Sequence, residues 1–340
     1  MLKSRSVWPA LLVFFGLILA GLGPAAAESP GSGRATLAAQ TVPTPKPNAP
    51  EVGKPSVDPP KVTSKQWVWL QIGLGAAILV VLWFGNVIRP SALGAGSGDG
   101  GDRPWWAFLF AASVVYLTLG LGHELMLNQV KSGASWLGGV SANSIKGKAI
   151  VQIGQAACGI FAGVALLALA SGGLKRPTGK DLLTGVLGIV IALPVVNATG
   201  LLALEIYRAV KDTTPPPIGH NTLQTLSDSR GDPWAWAQGA TAVVLTPIVE
   251  ELIYRYFLQT ALVRAFNQAW LGVVITSAIF TSAHIGPGAV PDASLSTVLP
   301  VLFVLGLALG IAMQRTGKLT VPIVMHGLFN AFNIALTMWR

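Results

Sequence analysis

The sequence is short of almost everything that a water-soluble enzyme of its length uses. Only 11% of its 340 residues are charged, against roughly 25% in soluble domains. That deficit argues for a bilayer in place of a water-facing surface. There is a single cysteine, Cys158, inside an apolar run. One thiol excludes an intrachain disulfide and a thiolate metal cluster, and a small buried apolar role accounts for it. No internal repeat is visible. A basic stripe with interleaved aromatics is also missing, because the 23 Lys and Arg residues are scattered between apolar runs. The net charge of +9 therefore points to lipid headgroups as partner and not to nucleic acid.

What the chain does have is hydrophobic length: 52% of its residues are hydrophobic and its mean hydropathy is +0.59. Lys3 and Arg5 precede an apolar run over 10–23, and Ala25, Ala26 and Ala27 stand before Glu28. This tripartite pattern predicts a signal peptide or signal anchor over residues 1–27. Residues 28–65, rich in Pro, Ser, Thr and Ala, hold too little apolar surface to fold and are expected to form a disordered tether.

A membrane helix needs about 20 mainly apolar residues. On that basis the chain is predicted to be an all-α polytopic transmembrane helix bundle of about eight spans. Four of them, 67–88, 105–122, 149–172 and 182–204, fall in an N-terminal part covering 66–232. The other four, 235–262, 271–285, 298–313 and 320–339, make up a C-terminal part, 233–340. Trp67, Trp69, Trp105, Trp106, Trp234, Trp236, Trp270 and Trp339 lie near predicted ends, where indoles favour the headgroup layer. An exported N-terminus puts the tether outside the cytoplasm. Arg89, Arg103, Lys175, Arg176, Lys180, Arg264, Arg315 and Lys318 then fall in cytoplasmic loops, in the sense of the positive-inside rule. The longer outer loops carry Lys131, Lys146, Lys148, Arg208, Lys211 and Arg230 at lower density. The expected location is the bacterial inner membrane.

Ionisable residues are absent from the depths of the first four spans; His123, Glu124 and Glu205 fall at predicted edges. The fifth span breaks the pattern with Glu250, Glu251 and Arg255 close behind Pro247. One charge at a helix centre costs about 2.5–3.5 kcal/mol on insertion scales, so three together need partners or a function. His284 near the end of the sixth span and His326 in the eighth complete the set. Glu251 and Arg255 have the i, i+4 spacing of an internal ion pair, and a structural role suits that pair better than direct chemistry. Glu250 lies about 100° away around a helix of 3.6 residues per turn and has no charged i±4 partner, which favours function. Phe280 and His284 share a face, as do His326 and Asn330. A lone histidine is more often a satisfied core residue, but polar neighbours in other spans reverse that expectation here. A water held between Glu250 and an imidazole could be deprotonated, and the second histidine with Asn330 could donate to an oxyanion.

Glu250-Glu251-x-x-x-Arg255, Phe280-x-x-x-His284 and His326-x-x-x-Asn330 follow one another on separate apolar spans. In this order they resemble the CPBP family of intramembrane peptidases, which includes type II CAAX prenyl endopeptidases and bacteriocin-processing or immunity proteins. The resemblance covers roughly residues 233–338. It implies a water-filled cavity inside the membrane and hydrolysis of a peptide bond in a membrane-associated protein or peptide. Carried over, Glu250 resembles the general base and His284 its partner in placing water. Glu251 with Arg255 resembles the supporting pair, and His326 with Asn330 the oxyanion-stabilising pair. No cofactor is favoured. Two His and a Glu can form a zinc site, so spacing leaves a divalent metal open, with Glu250, His284 and His326 as its ligands. The export-type N-terminus argues against prenylated substrates. Two other classes stand beside the peptidase: a non-catalytic scaffold or immunity protein of the same fold, and a proton-coupled transporter, which the uncharged first four spans disfavour.

Overall fold

A computed structural model describes residues 65–94, 103–134, 137–170, 176–215, 221–285, 290 and 294–339. The expected signal segment, and the expected tether up to residue 64, lie outside the described residues. Within the described residues every regular element is helical. Six helices are long and apolar enough to cross a membrane: α1 (Lys65–Phe84), α2 (Trp105–Lys131), α3 (Ile145–Ala170), α4 (Gly179–Lys211), α10 (Leu295–Thr316) and α11 (Thr320–Trp339). The short α5 (Asn221–Asp228) precedes the fifth expected span, and α9 (Ala269–Ser282) corresponds to the sixth.

Several boundaries differ from the expectation, and three of the differences move ionisable residues. His123 and Glu124, expected at an edge, lie inside α2, which runs on to Lys131; His123 Nδ1 is 3.4 Å from Gln155 Oε1 on α3. Glu205 likewise lies inside α4, where Arg208 Nη1 reaches it at 2.7 Å one turn on. In contrast, α9 stops at Ser282, and His284 stands in the turn that follows.

The fifth expected span is the largest departure. It is one unbroken rod from Pro233 to Phe266, but it alternates between two helical pitches. The α-helical pieces α6 (Pro233–Ala240), α7 (Thr246–Glu251) and α8 (Thr260–Phe266) are separated by wider π-helical turns, π1 (Thr241–Leu245) and π2 (Leu252–Gln259). Such wide turns are rare and cluster at functional sites. Every residue from Glu251 to Val263 is buried, as expected for a helix apolar on all sides but for a few polar positions. The rod is the centre of the molecule. By contrast α1 packs chiefly on α4 among the described residues and leaves Trp67, Trp69, Leu70 and Phe84 exposed.

Lipid and protein interiors are equally apolar, so helices associate here through close packing. Glycines let them touch. A Cβ on Gly159 of α3 would stand 2.4 Å from Val249 Cγ2, and one on Gly185 of α4 would stand 2.7 Å from Val324 Cβ on α11. The first contact brings α3 against the stretch that carries Glu250. At one end of the bundle, Thr178 and Asp181 close a reciprocal cap on α4. Lys318 Nζ, in the α10–α11 turn, lies 3.5 Å from the same Asp181 carboxylate. The start of α4 is thereby tied to the entry of α11, the helix that bears His326.

Candidate active site

The centre of the site is Glu251, whose side chain is 0% exposed. Both of its oxygens are engaged. Oε2 is 3.1 Å from Arg255 Nε, and Oε1 accepts a hydrogen bond from His326 Nδ1 at 2.9 Å. The i, i+4 ion pair read from the sequence is therefore present, and it has a third member from α11, 75 residues away. A carboxylate can only accept, so the hydrogen sits on His326 Nδ1. That orients the ring and turns Nε2 towards Glu250, whose Oε2 is 3.7 Å distant.

The adjacent glutamates are thereby distinguished. Glu251 is sealed and paired, whereas the Glu250 side chain is 20% exposed and faces an imidazole edge at a distance just beyond a direct hydrogen bond. The Glu251 charge is balanced by Arg255, and that balance matters in a medium where uncompensated charge is costly.

Phe280 joins the remaining motif residues. Its ring lies 5.1 Å from the Arg255 guanidinium carbon, 4.8 Å from the His284 ring and 5.8 Å from the His326 ring. Arg255 is itself completely buried, and its Nη1 and Nη2 meet no hydrogen-bond acceptor among the described residues, so the aromatic face is a main contact of the cation. His284 Nδ1 donates to Phe280 O at 2.8 Å. That bond caps the end of α9 and fixes the orientation of the ring.

The structure thus brings Glu250, Glu251, Arg255 and His326 into one cluster, with His284 reaching it through Phe280. Asn330 is placed differently from its expected pairing with His326: its Nδ2 donates to the backbone carbonyl of Ala242 at 2.8 Å. The possible ligand set Glu250, His284 and His326 does not fit a metal in this arrangement, because among the described residues no three His, Cys, Asp or Glu side chains are grouped to hold one. Sequence spacing alone left out Tyr254. It is buried, packs edge-on against Phe280 at 5.3 Å, and lies four residues from Glu250, which is the signal that could have found it.

Removing Arg255 strands the Glu251 carboxylate in a site without solvent. Arg255→Ala should therefore cost about 3–5 kcal/mol. It should lower folded yield and Tm well below those of Glu250→Gln, measured on protein purified in the same detergent. Equal stability of the two variants would contradict the structural role of the pair.

Neither a curated protein nor a solved structure matches the chain. Residues 232–332 do match a family model, described as type II CAAX prenyl endopeptidase Rce1-like. That stretch contains the mosaic rod, α9 and α10 whole, and α11 through Asn330, so it holds every residue of the cluster. The match confines the likeness to type II CAAX prenyl endopeptidases to the segment 232–332, and it supports the CPBP/CAAX protease resemblance of that segment.

Proposed function

We propose that this chain is an intramembrane endopeptidase that hydrolyses a peptide bond of a membrane-associated protein or peptide, with Glu250 as general base. The observation that carries this reading is the contrast between the two glutamates: Glu251 is wholly buried and paired, while Glu250 is partly exposed and 3.7 Å from His326 Nε2. A structural cluster needs only the first. The second is a carboxylate held near a nitrogen with room for a proton or a water between them.

In this reading a water gives its proton to the Glu250 carboxylate as its oxygen attacks the carbonyl carbon of the substrate. His284, its ring fixed by the Nδ1 bond to Phe280 O, holds the same water through Nε2. The electron pair of the C=O bond moves onto oxygen. His326, supported by the Glu251 carboxylate at Nδ1, stabilises that oxyanion from Nε2 when it carries the second proton. As the tetrahedral carbon collapses, the C–N bond breaks and Glu250 returns its proton to the departing amine. Asn330, the second expected oxyanion donor, gives one of its two Nδ2 hydrogens to Ala242 O, so His326 is the principal donor in this reading.

The signal-like pattern expected of the N-terminus and the loop charges support an orientation with the N-terminal region outside the cytoplasm and the α10–α11 turn, with Arg315 and Lys318, inside it. Cysteine labelling in a Cys158→Ala background should leave Lys318→Cys unreactive towards an impermeant maleimide in intact cells and reactive after permeabilisation. Labelling in intact cells would invert the orientation.

The chemical assignment has its own test. Glu250→Gln keeps the volume and removes the base, so cleavage of a quenched-fluorescence peptide library by protein in proteoliposomes should fall by about 100-fold or more. Its Tm should stay close to that of the native protein. Cleavage retained in the purified variant would sink the peptidase reading and favour the scaffold.

A further inference from the structure

Pro247 changes the hydrogen bonding of the rod ahead of it. It has no N–H to give, and the turn before it is wide, with the Thr246 N–H bonding back to Thr241 O five residues earlier. The Ala242 carbonyl is consequently left without a donor from its own helix. The residue four ahead of it, Thr246, has its N–H committed elsewhere, and the residue five ahead is the proline itself. A backbone acceptor inside a membrane span has no water to turn to and must be satisfied by protein. The donor comes from α11: Asn330 Nδ2 reaches Ala242 O at 2.8 Å.

The next carbonyl, Val243 O, has lost its α-helical donor to the same proline. It faces Gly327, where an added Cβ would stand only 2.6 Å from the oxygen. Both contacts sit beside His326 on α11, since Gly327 is the next residue and Asn330 lies one turn on. Besides the His326–Glu251 bond and the hydrogen bond from Arg230 Nη2 to Thr337 O at 3.0 Å, α11 has neighbours of a different kind. Val324 and Met325 meet Gly185 and Gly188 of α4, where added Cβ atoms would lie 2.7 Å from Val324 Cβ and 2.8 Å from Met325 Sδ. Such apolar contacts set how closely two helices approach, but they are non-directional and resist sliding weakly. A hydrogen bond has a direction and a length. With the His326–Glu251 bond it fixes the position of α11 along the rod.

We propose that Asn330 is a positioning residue: its carboxamide clamps the carbonyl that Pro247 leaves without a donor. The clamp holds α11 at the depth where His326 meets Glu251 at 2.9 Å and Glu250 at 3.7 Å. Its bearing on hydrolysis rests on the peptidase reading given above. The clamp itself does not, and its test has a readout that needs no activity.

Pro247→Ala restores the missing N–H. If the rod then relaxes to α pitch, Thr246 serves Ala242 O; if it stays wide, residue 247 serves it. Either way the carbonyl no longer depends on Asn330. Thermal unfolding of the full chain in detergent should show Asn330→Ala lowering Tm by about 2–4 °C in the native background and by less than half of that in the Pro247→Ala background. If Asn330→Ala fails to fold alone but folds together with Pro247→Ala, the clamp is equally supported. An equal loss of Tm in both backgrounds, or failure to fold in both, overturns it.

The functional arm uses the library peptide that the native protein cleaves fastest. In the native background Asn330→Ala should lower kcat by about tenfold or more with KM within about twofold, and by a smaller factor when introduced into Pro247→Ala. A donor to the oxyanion would lose the same factor of kcat in both backgrounds, and that result would overturn the positioning role. Loss of all cleavage by native protein would instead remove the peptidase reading and leave the Tm cycle standing.

Discussion

The bond on which the rest of the site depends is the one from His326 Nδ1 to Glu251. It is made where water cannot help, between a carboxylate with 0% exposure and an imidazole with 5%. An acid and a guanidinium on one helix would satisfy each other alone. Adding the imidazole from α11 turns a local ion pair into a tie between two helices, and it decides which nitrogen of His326 is left for Glu250. Each member also restricts the next. Arg255 holds Glu251, Glu251 orients His326, and Phe280 lies against Arg255, His326 and His284 at once. The free edge of this chain is Glu250, the one carboxylate of the group with side-chain exposure.

Much of this was legible in the sequence. The helical class follows from the apolar runs, and the Glu251–Arg255 pair from their i, i+4 spacing. The concentration of ionisable residues behind Pro247 marks the site, because charge in a span is too costly to be idle. The partner of Glu251 was not legible. Residue 326 is 75 positions away, and periodicity along one helix carries no information about which face of another helix it meets. The expected pairings set Glu250 with His284 and His326 with Asn330. In the structure the close contact of Glu250 is His326, and Asn330 turns to the Ala242 backbone.

The wide turn ahead of Pro247 was hidden for a related reason. Pro247 announces a disturbed helix, but whether the helix kinks, breaks or widens depends on what meets the freed carbonyls. Those partners, Asn330 and Gly327, are on α11. Likewise the end of α9 at Ser282 is set in part by the His284 side chain folding back onto Phe280 O, so His284 stands in a turn and not within the helix. Propensity and spacing thus identified the residues, and tertiary hydrogen bonds decided their geometry. The division is physical: burial cost depends on residue type and can be read along the chain, whereas a directional bond needs both ends in place.

The central claim is that the partly exposed Glu250 acts chemically on proteins of the same membrane. The most direct measurement is quantitative proteomics of membranes from cells carrying either the native protein or Glu250→Gln at matched abundance. The account predicts at least one membrane-associated precursor that accumulates at full length in the variant, together with loss of the new terminus that its cleavage creates in native cells. Indistinguishable precursor levels and termini in the two membranes would contradict it.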